Sequence, residues 1–369
     1  MKEGFEKAKE VLQGLDDATK IDMYNMYMLR SMSSYIFREG DYYELAGCSK
    51  IKTDLCLIEN AMLSKEITVS DFFIAYAVAM LGCADKESLI NYLTWLHKKS
   101  PDKVIAVNEY IGKRIDALAR CGVIRKVVLR SQNGDLRANA FVISKAGAEA
   151  TRLALNLVYL KYDSGLLISG AYGAGTCLIV GRILSRLINS PASLEINTNV
   201  KMYSKAISSK YNIYAHVTAE SEENKTLLIV EPVLFGIVRA VETEGDVMKK
   251  MKLRMSLLAN EVAEIVNAQE DKKYDDVRVI FSVEDYNALT KVVKMVIEQS
   301  ILLAEHSYFT SDRLIAANGN YLCRSFYKIV YTDSKPKIVL EKDNSQIFGT
   351  DDGENIKLKE EHIIKMHCI

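Results

Sequence analysis

The residues of this chain that could do chemistry are few, and the first is a carboxylate. Glu231 lies inside the apolar run LLIVEPVLFG, where a charge is costly unless it is paired or bound to metal. Metal-dependent nucleases hold magnesium with an acidic residue on one strand and a Glu-x-Lys on the next, orienting water for attack. Here Pro232 and Val233 follow the glutamate, the lysine is missing, and NIYAHVTAE upstream supplies no well-placed aspartate. A structural glutamate at a strand bend is the preferred reading, and a catalytic carboxylate is the alternative. The segment GAYGAGT (170–176) could cradle a phosphate, but it lacks the Lys-Ser/Thr of a Walker A loop and does not match G-x-G-x-x-G. A tight turn or close helix packing suits these glycines better. His97, His216, His306, His362 and His367 include no H-E-x-x-H; His362, His367 and Cys368 come together only at the chain end, without a fourth ligand. No G-x-S-x-G elbow occurs. No catalytic residue, metal ligand or cofactor is assigned.

The stronger pattern is basic. Between Val107 and Leu155, Val107, Ile111, Ile115 and Leu118 fall on one helical face of a segment ending at Arg120. Lys113, Asp116 and Arg120 point the other way, with Arg114 on the flank. Gly122 stands where a left-handed helix cap is wanted. The β-branched run IRKVVLR, the Asn133-Gly134 pair and the return LRANAFVI form a hairpin signal. Ser144 then sits at the N-cap position ahead of KAGAEATRLAL. Helix, strand, hairpin turn, strand and helix make the second half of a winged helix-turn-helix. A helix face with Lys113, Arg114 and Arg120 suits a major groove, and wing residues Lys126, Arg130 and Arg137 suit phosphates or the minor groove beside it. Glu109 and Asp116 blunt the positive field, and docking of a protein partner is the other use of such a module.

The elements that must position these residues start with ITVSDFFIAYAVAMLGCA, an almost wholly apolar helix with Ser70 as its expected N-cap. DKESLINYLTWLHKKSPD is a second, amphipathic helix stopped by Pro101. The fold class expected is α+β. N-terminal helices over 1–66, including a Met- and Tyr-rich one and a looser stretch at 40–66 with one short helix, precede a winged-helix domain at 67–155. A helical connector (156–194) leads to an α/β domain with a mixed sheet (195–340) and a polar tail (341–369). In the α/β domain NIYAHVTAE, KTLLIVEPVLFGIVRAV, DDVRVIFSV and ILLAEHSYFT read as strands. GDVMKKMKLRMSLLANEVAEIVNAQ and EDYNALTKVVKMVIEQS read as helices.

Composition narrows the class. With 49% hydrophobic and 26% charged residues the chain has a real core. Its formal net charge is zero, so any DNA binding must come from a local basic face rather than bulk charge. Seven scattered cysteines without a Cys-x-x-Cys pair suit a reducing compartment. No signal-peptide core and no membrane-spanning apolar run is evident, so a cytoplasmic protein without membrane partners is expected.

Taken together, TVSDFF, IGKRIDALARCGVIRKVVL, FVISKAGAEATRLAL, VRVIFSVEDYNALTKVVKMV and ILLAEHSYFTSDRLI make residues 67–315 resemble the replication-relaxation family. These are winged-helix proteins of plasmids and integrative mobile elements. The resemblance implies a C-terminal domain with a degenerate restriction-endonuclease-like fold, with Glu231 in register with an acidic strand. The second acidic residue expected after it is Val233 here, which favours a scaffold or dimerisation role over catalysis. The function implied is that of a double-stranded DNA-binding accessory or regulatory protein, acting as a homodimer or with another protein. A divergent metal-dependent nuclease and a protein-docking adaptor are the alternatives.

Overall fold

The computed structural model describes residues 29–30, 32, 42–45, 54–103, 107, 110–131, 133–160, 170–188, 193–204, 209–220, 224–235, 244–268, 273–318, 325–332 and 335–341. Most of the expected N-terminal helices and nearly all of the polar tail, including His362, His367 and Cys368, lie outside the described residues. Leu29 and Met32, from the Met- and Tyr-rich stretch, are buried in the core of the C-terminal half.

The first half is mainly helical. Strand β1 (Tyr42–Leu45) and helix α1 (Leu55–Leu63) precede a 3-10 turn at Val69–Asp71 that runs into α2 (Phe72–Leu81). Thr68, not Ser70, caps this entry. Asp71 lies three residues on and accepts from both the Thr68 backbone N–H at 2.7 Å and its hydroxyl at 2.9 Å, so the cap sits two residues earlier than expected. Helix α2 is apolar all round because most of it is enclosed; Phe72, Ile74, Ala75, Ala77 and Val78 are wholly buried, and Phe73, Tyr76 and Met80 form a partly buried face. Helix α3 (Lys86–Lys99) is capped by Asp85, and α4 (Ile111–Arg120) follows. Strands β2 (Ile124–Arg130) and β3 (Leu136–Ile143) form the expected hairpin, and α5 (Lys145–Ala154) closes the unit, capped by Ser144 through Gly147 N at 2.8 Å. Gly122 and Gly134 have φ of 78° and 87°, which L side chains rarely adopt, at the helix cap and the hairpin turn. The hairpin is widened on one side by β1, giving the order β1-β2-β3; on the other side Ala84 bridges Phe141. Strand β1 falls in the stretch read as a loose connection.

Helix α6 (Gly170–Leu187) runs through the glycine-rich segment without a loop. The expected turn at 170–176 is therefore helix, and close packing is what its later glycine serves. A Cβ on Gly181 would come within 2.4 Å of the Cys83 carbonyl oxygen. Rather than a simple connector, α6 is a core element lying against α2, α3 and strands of the C-terminal sheet.

That sheet has seven strands in the order β10-β9-β8-β7-β6-β5-β4. Strands β4 (Ser193–Ser204), β5 (Ser209–Glu220) and β6 (Lys225–Val233) form an antiparallel meander. Helix α7 (Glu244–Val266) crosses to β7 (Asp276–Val283), and α8 (Tyr286–Gln299) and α9 (Ile301–Glu305) cross to β8 (Ser307–Thr310). Strands β6, β7 and β8 are parallel, so each needs such a crossover. Helix α10 (Asp312–Asn318) and the antiparallel hairpin β9 (Tyr327–Thr332) and β10 (Lys335–Leu340) complete the sheet. The run ILLAEHSYFT, read as one strand, divides into α9 and β8, because Ser300 accepts from Leu303 N at 3.3 Å and starts a helical turn. Strand β6 ends at Val233. Pro232 is tolerated there because pairing with β5 stops at Ala215↔Val230, so no neighbour on that side needs its missing N–H.

The sheet is covered on both faces, which is why its central strands are almost continuously apolar. Val217, Ala219, Leu228, Val230 and Ile280 join the core shared with α6 and the first half. Leu227, Ile229, Val279 and Phe281 face α7 and α8. The chain is thus a mixed α and β protein. Among the described residues no helix is long and apolar enough to cross a membrane.

Candidate nucleic-acid interface

The six basic residues singled out from sequence do not form one surface. Lys113 projects from the exposed side of α4, with its Nζ 5.2 Å from the ring centre of Tyr110, itself 54% exposed. Arg114, its neighbour, is turned inward. Its Nε donates to Asp71 Oδ1 at 2.7 Å, its Nη2 pairs with Oδ2, and Asp71 is buried. Burial alone would raise the Asp71 carboxyl, but the bonds from Arg114 and Thr68 outweigh it and hold the group below the usual aspartate range. The Asp71 bond also raises Arg114. This pair ties α4 to the start of α2 and sets the angle at which α4 faces solvent. Arg120 pairs with Glu66 at 3.2 Å on the surface.

On the hairpin, Arg130 donates from Nη1 to the Gly134 carbonyl at 3.0 Å. Ser131 N donates to Asp135 O and Gly134 N to Ser131 O, both at 2.8 Å, so the turn is closed on itself. Lys126 and Arg130 are half-buried. Arg137 occupies the bulge of β3, between Leu136 opposite Arg130 and Ala138 opposite Leu129; its side chain lies outside the described residues.

One residue the sequence reading missed completes the exposed end of α4. Lys86, the first residue of α3, reaches across so that a Cβ on Gly112 would lie 3.3 Å from its Nζ. Lys86, Tyr110 and Lys113 therefore share the start of α4, where Tyr110 provides no side-chain cap for the helix N–H groups. The missed signal is non-local: Lys86 stands one helix away from the basic segment. Over 67–155 thirteen lysines and arginines face eight aspartates and glutamates. A chain with no net charge thus carries its positive excess in this unit.

Glu231, the carboxylate singled out in the apolar strand, is buried and accepts two bonds from Arg254 on α7, Nε to Oε1 and Nη2 to Oε2, each 2.7 Å. Burial raises its carboxyl above the usual glutamate range, and Arg254 works against that shift. Both oxygens are thus engaged by one guanidinium. No cluster of three or more His, Cys, Asp or Glu able to hold a metal ion occurs among the described residues. Burial raises the Cys83 thiol well above its usual range, and Cys121 is pushed up to about 11, first by burial and then by Glu66, so neither is an activated nucleophile. Compared with family models, with curated proteins and with solved structures, the chain matches none.

Proposed function

We propose that this chain is a non-enzymatic double-stranded DNA-binding accessory or regulatory protein of the cytoplasm, in which α2 to α5 with the β2–β3 hairpin act as a winged helix-turn-helix. The observation that carries this reading is the exposed basic start of α4, where Lys113 and Lys86 stand together beside the backbone of Gly112. Such an end suits phosphate oxygens, and the outward side of α4 then lies along the major groove. Arg114 serves this surface indirectly, by holding α4 on Asp71. Arg120, Lys126, Arg130 and Arg137 act at the rim and along the wing. The resemblance to the replication-relaxation family supports a role in replication, mobilisation or transcriptional control of a mobile element. A module of modest charge binds weakly alone, so a homodimer presenting two such helices to related half-sites is the proposed assembly.

The degenerate nuclease-like reading of the sheet is kept for its fold alone, because the Glu231 oxygens are occupied by Arg254. A protein-docking adaptor is the second reading, favoured by the exposure of Leu136 at the hairpin tip and of Tyr110. Titrating fluorescent duplex with wild type and Lys113→Glu separates the two. Salt-sensitive binding weakened by the substitution supports a DNA reader; no binding by wild type supports the adaptor.

A further inference from the structure

An ionic cluster joins the two halves of the chain. Arg182, in the middle of α6, donates from Nε to Asp85 Oδ2 at 2.6 Å and lies with Nη1 3.3 Å from Asp312 Oδ2. Asp85 belongs to the helical half; Asp312 opens α10 at the end of β8. One turn along α6, Arg186 pairs with Glu87. The other oxygen of Asp85 is also committed: Oδ1 accepts from Ser88 N at 2.9 Å and caps α3. The next residue is Lys86, whose amine reaches Gly112 at the start of α4. There is little slack in this junction, since Gly181 abuts the Cys83 carbonyl two residues before Asp85.

A guanidinium between two carboxylates is a poor device for stability alone, because its desolvation offsets most of its attraction. It is a good device for position, because it bonds both partners directionally. We infer that Arg182 is a positioning residue, transmitting the state of Asp312 at the end of β8 through the Asp85 cap to Lys86 and the start of α4. The coupling itself stands on geometry alone; its consequence for DNA rests on the function proposed above. When Arg182 is removed, Asp85 and Asp312 lose the cation they share, and the first turn of α3 loosens.

The test follows amide hydrogen exchange of that first turn, at Ser88 and Leu89, in the full chain, beside titration of fluorescent duplex. Asp312→Asn, in the other half of the chain, is expected to speed exchange there by roughly fivefold or more, the lower range of couplings between sites. In an Arg182→Met background the same substitution is expected to add nothing, because the link is already cut. Arg182→Lys, which can hold only one carboxylate well, falls between and serves if Arg182→Met does not fold. Duplex affinity is expected to fall in step with exchange. Unchanged exchange in Asp312→Asn, or equal acceleration in both backgrounds, overturns the inference. Coupled exchange in a protein whose wild type binds no duplex upholds the clamp and overturns the DNA reading instead.

Discussion

Replacing Arg254 by Met strands the Glu231 carboxylate in the core, and the size and pH dependence of the loss follow from the geometry. Wild-type Glu231 is 3% exposed and both its oxygens are bonded only 2.7 Å from the Arg254 nitrogens. Breaking a buried pair on one side costs about 3–5 kcal/mol, because the remaining charge is uncompensated. The carboxyl escapes part of that cost by taking a proton, since burial already raises it and Arg254 is what opposes the rise. In the variant the folded state therefore holds a proton that the unfolded state has lost. The sign follows: stability is highest below the ordinary glutamate range and falls as pH rises towards the raised folded value, by up to about 1.4 kcal/mol per pH unit. Urea unfolding followed by circular dichroism from pH 5 to pH 8 should show the Arg254→Met defect growing with pH. Pairing the substitution with Glu231→Leu should recover most of the loss and abolish its pH dependence. A loss below about 1 kcal/mol that does not change with pH would refute the reasoning, because the carboxylate would then have found water or another partner.

Other outcomes follow from the same structure. Arg114→Ala should lower stability by about 2 kcal/mol, less than a fully buried pair costs because the arginine is 33% exposed; Lys113→Ala should change stability by less than about 0.5 kcal/mol, which the same urea titrations would measure. Gly181→Ala should destabilise by about 1–3 kcal/mol, since its Cβ would enter the Cys83 carbonyl and push α6 from α2; a neutral thermal melt would contradict that packing. His306 is raised above its ordinary value chiefly by its bond to Asp276, with Val277 O also 2.8 Å from Nδ1. Its contribution is thus complete below about pH 6.5 and is lost as pH rises through the raised value. His306→Gln should flatten the decline in stability above neutrality, and an unchanged slope would assign that decline to other groups.

The helical half was the more legible one, because its signals are local. Gly122 and Gly134 take left-handed φ, Ser144 needs only the amide three residues on, and the apolar spacing of Ile111, Ile115 and Leu118 needs only the helix repeat. What failed was what depends on partners far along the chain. Arg114 and Lys113 are adjacent and equally basic, yet Asp71, 43 residues away from Arg114, turns one inward. Strand β1 has no signature of its own and exists by pairing with β2. Strand β4 could have been found, since Leu194 and Ile196, then Val200 and Met202, alternate with polar residues. The division of ILLAEHSYFT shows the ambiguity of a short apolar run, settled here by a single serine cap. The glycine-rich start of α6 read as a turn although it is helix, and the close packing of Gly181 could not be read at all, because its partner is the carbonyl of Cys83, nearly a hundred residues earlier.

The central claim is that the start of α4 meets nucleic acid, and anisotropy of labelled duplex at two or more salt concentrations tests it most directly. Binding should weaken as salt rises. Lys113→Glu together with Lys86→Glu should lower both affinity and the salt slope, the slope by about 0.9 for each phosphate the variant no longer neutralises. Equal affinity and equal salt slope in wild type and double variant, or no binding by wild type at all, would contradict it.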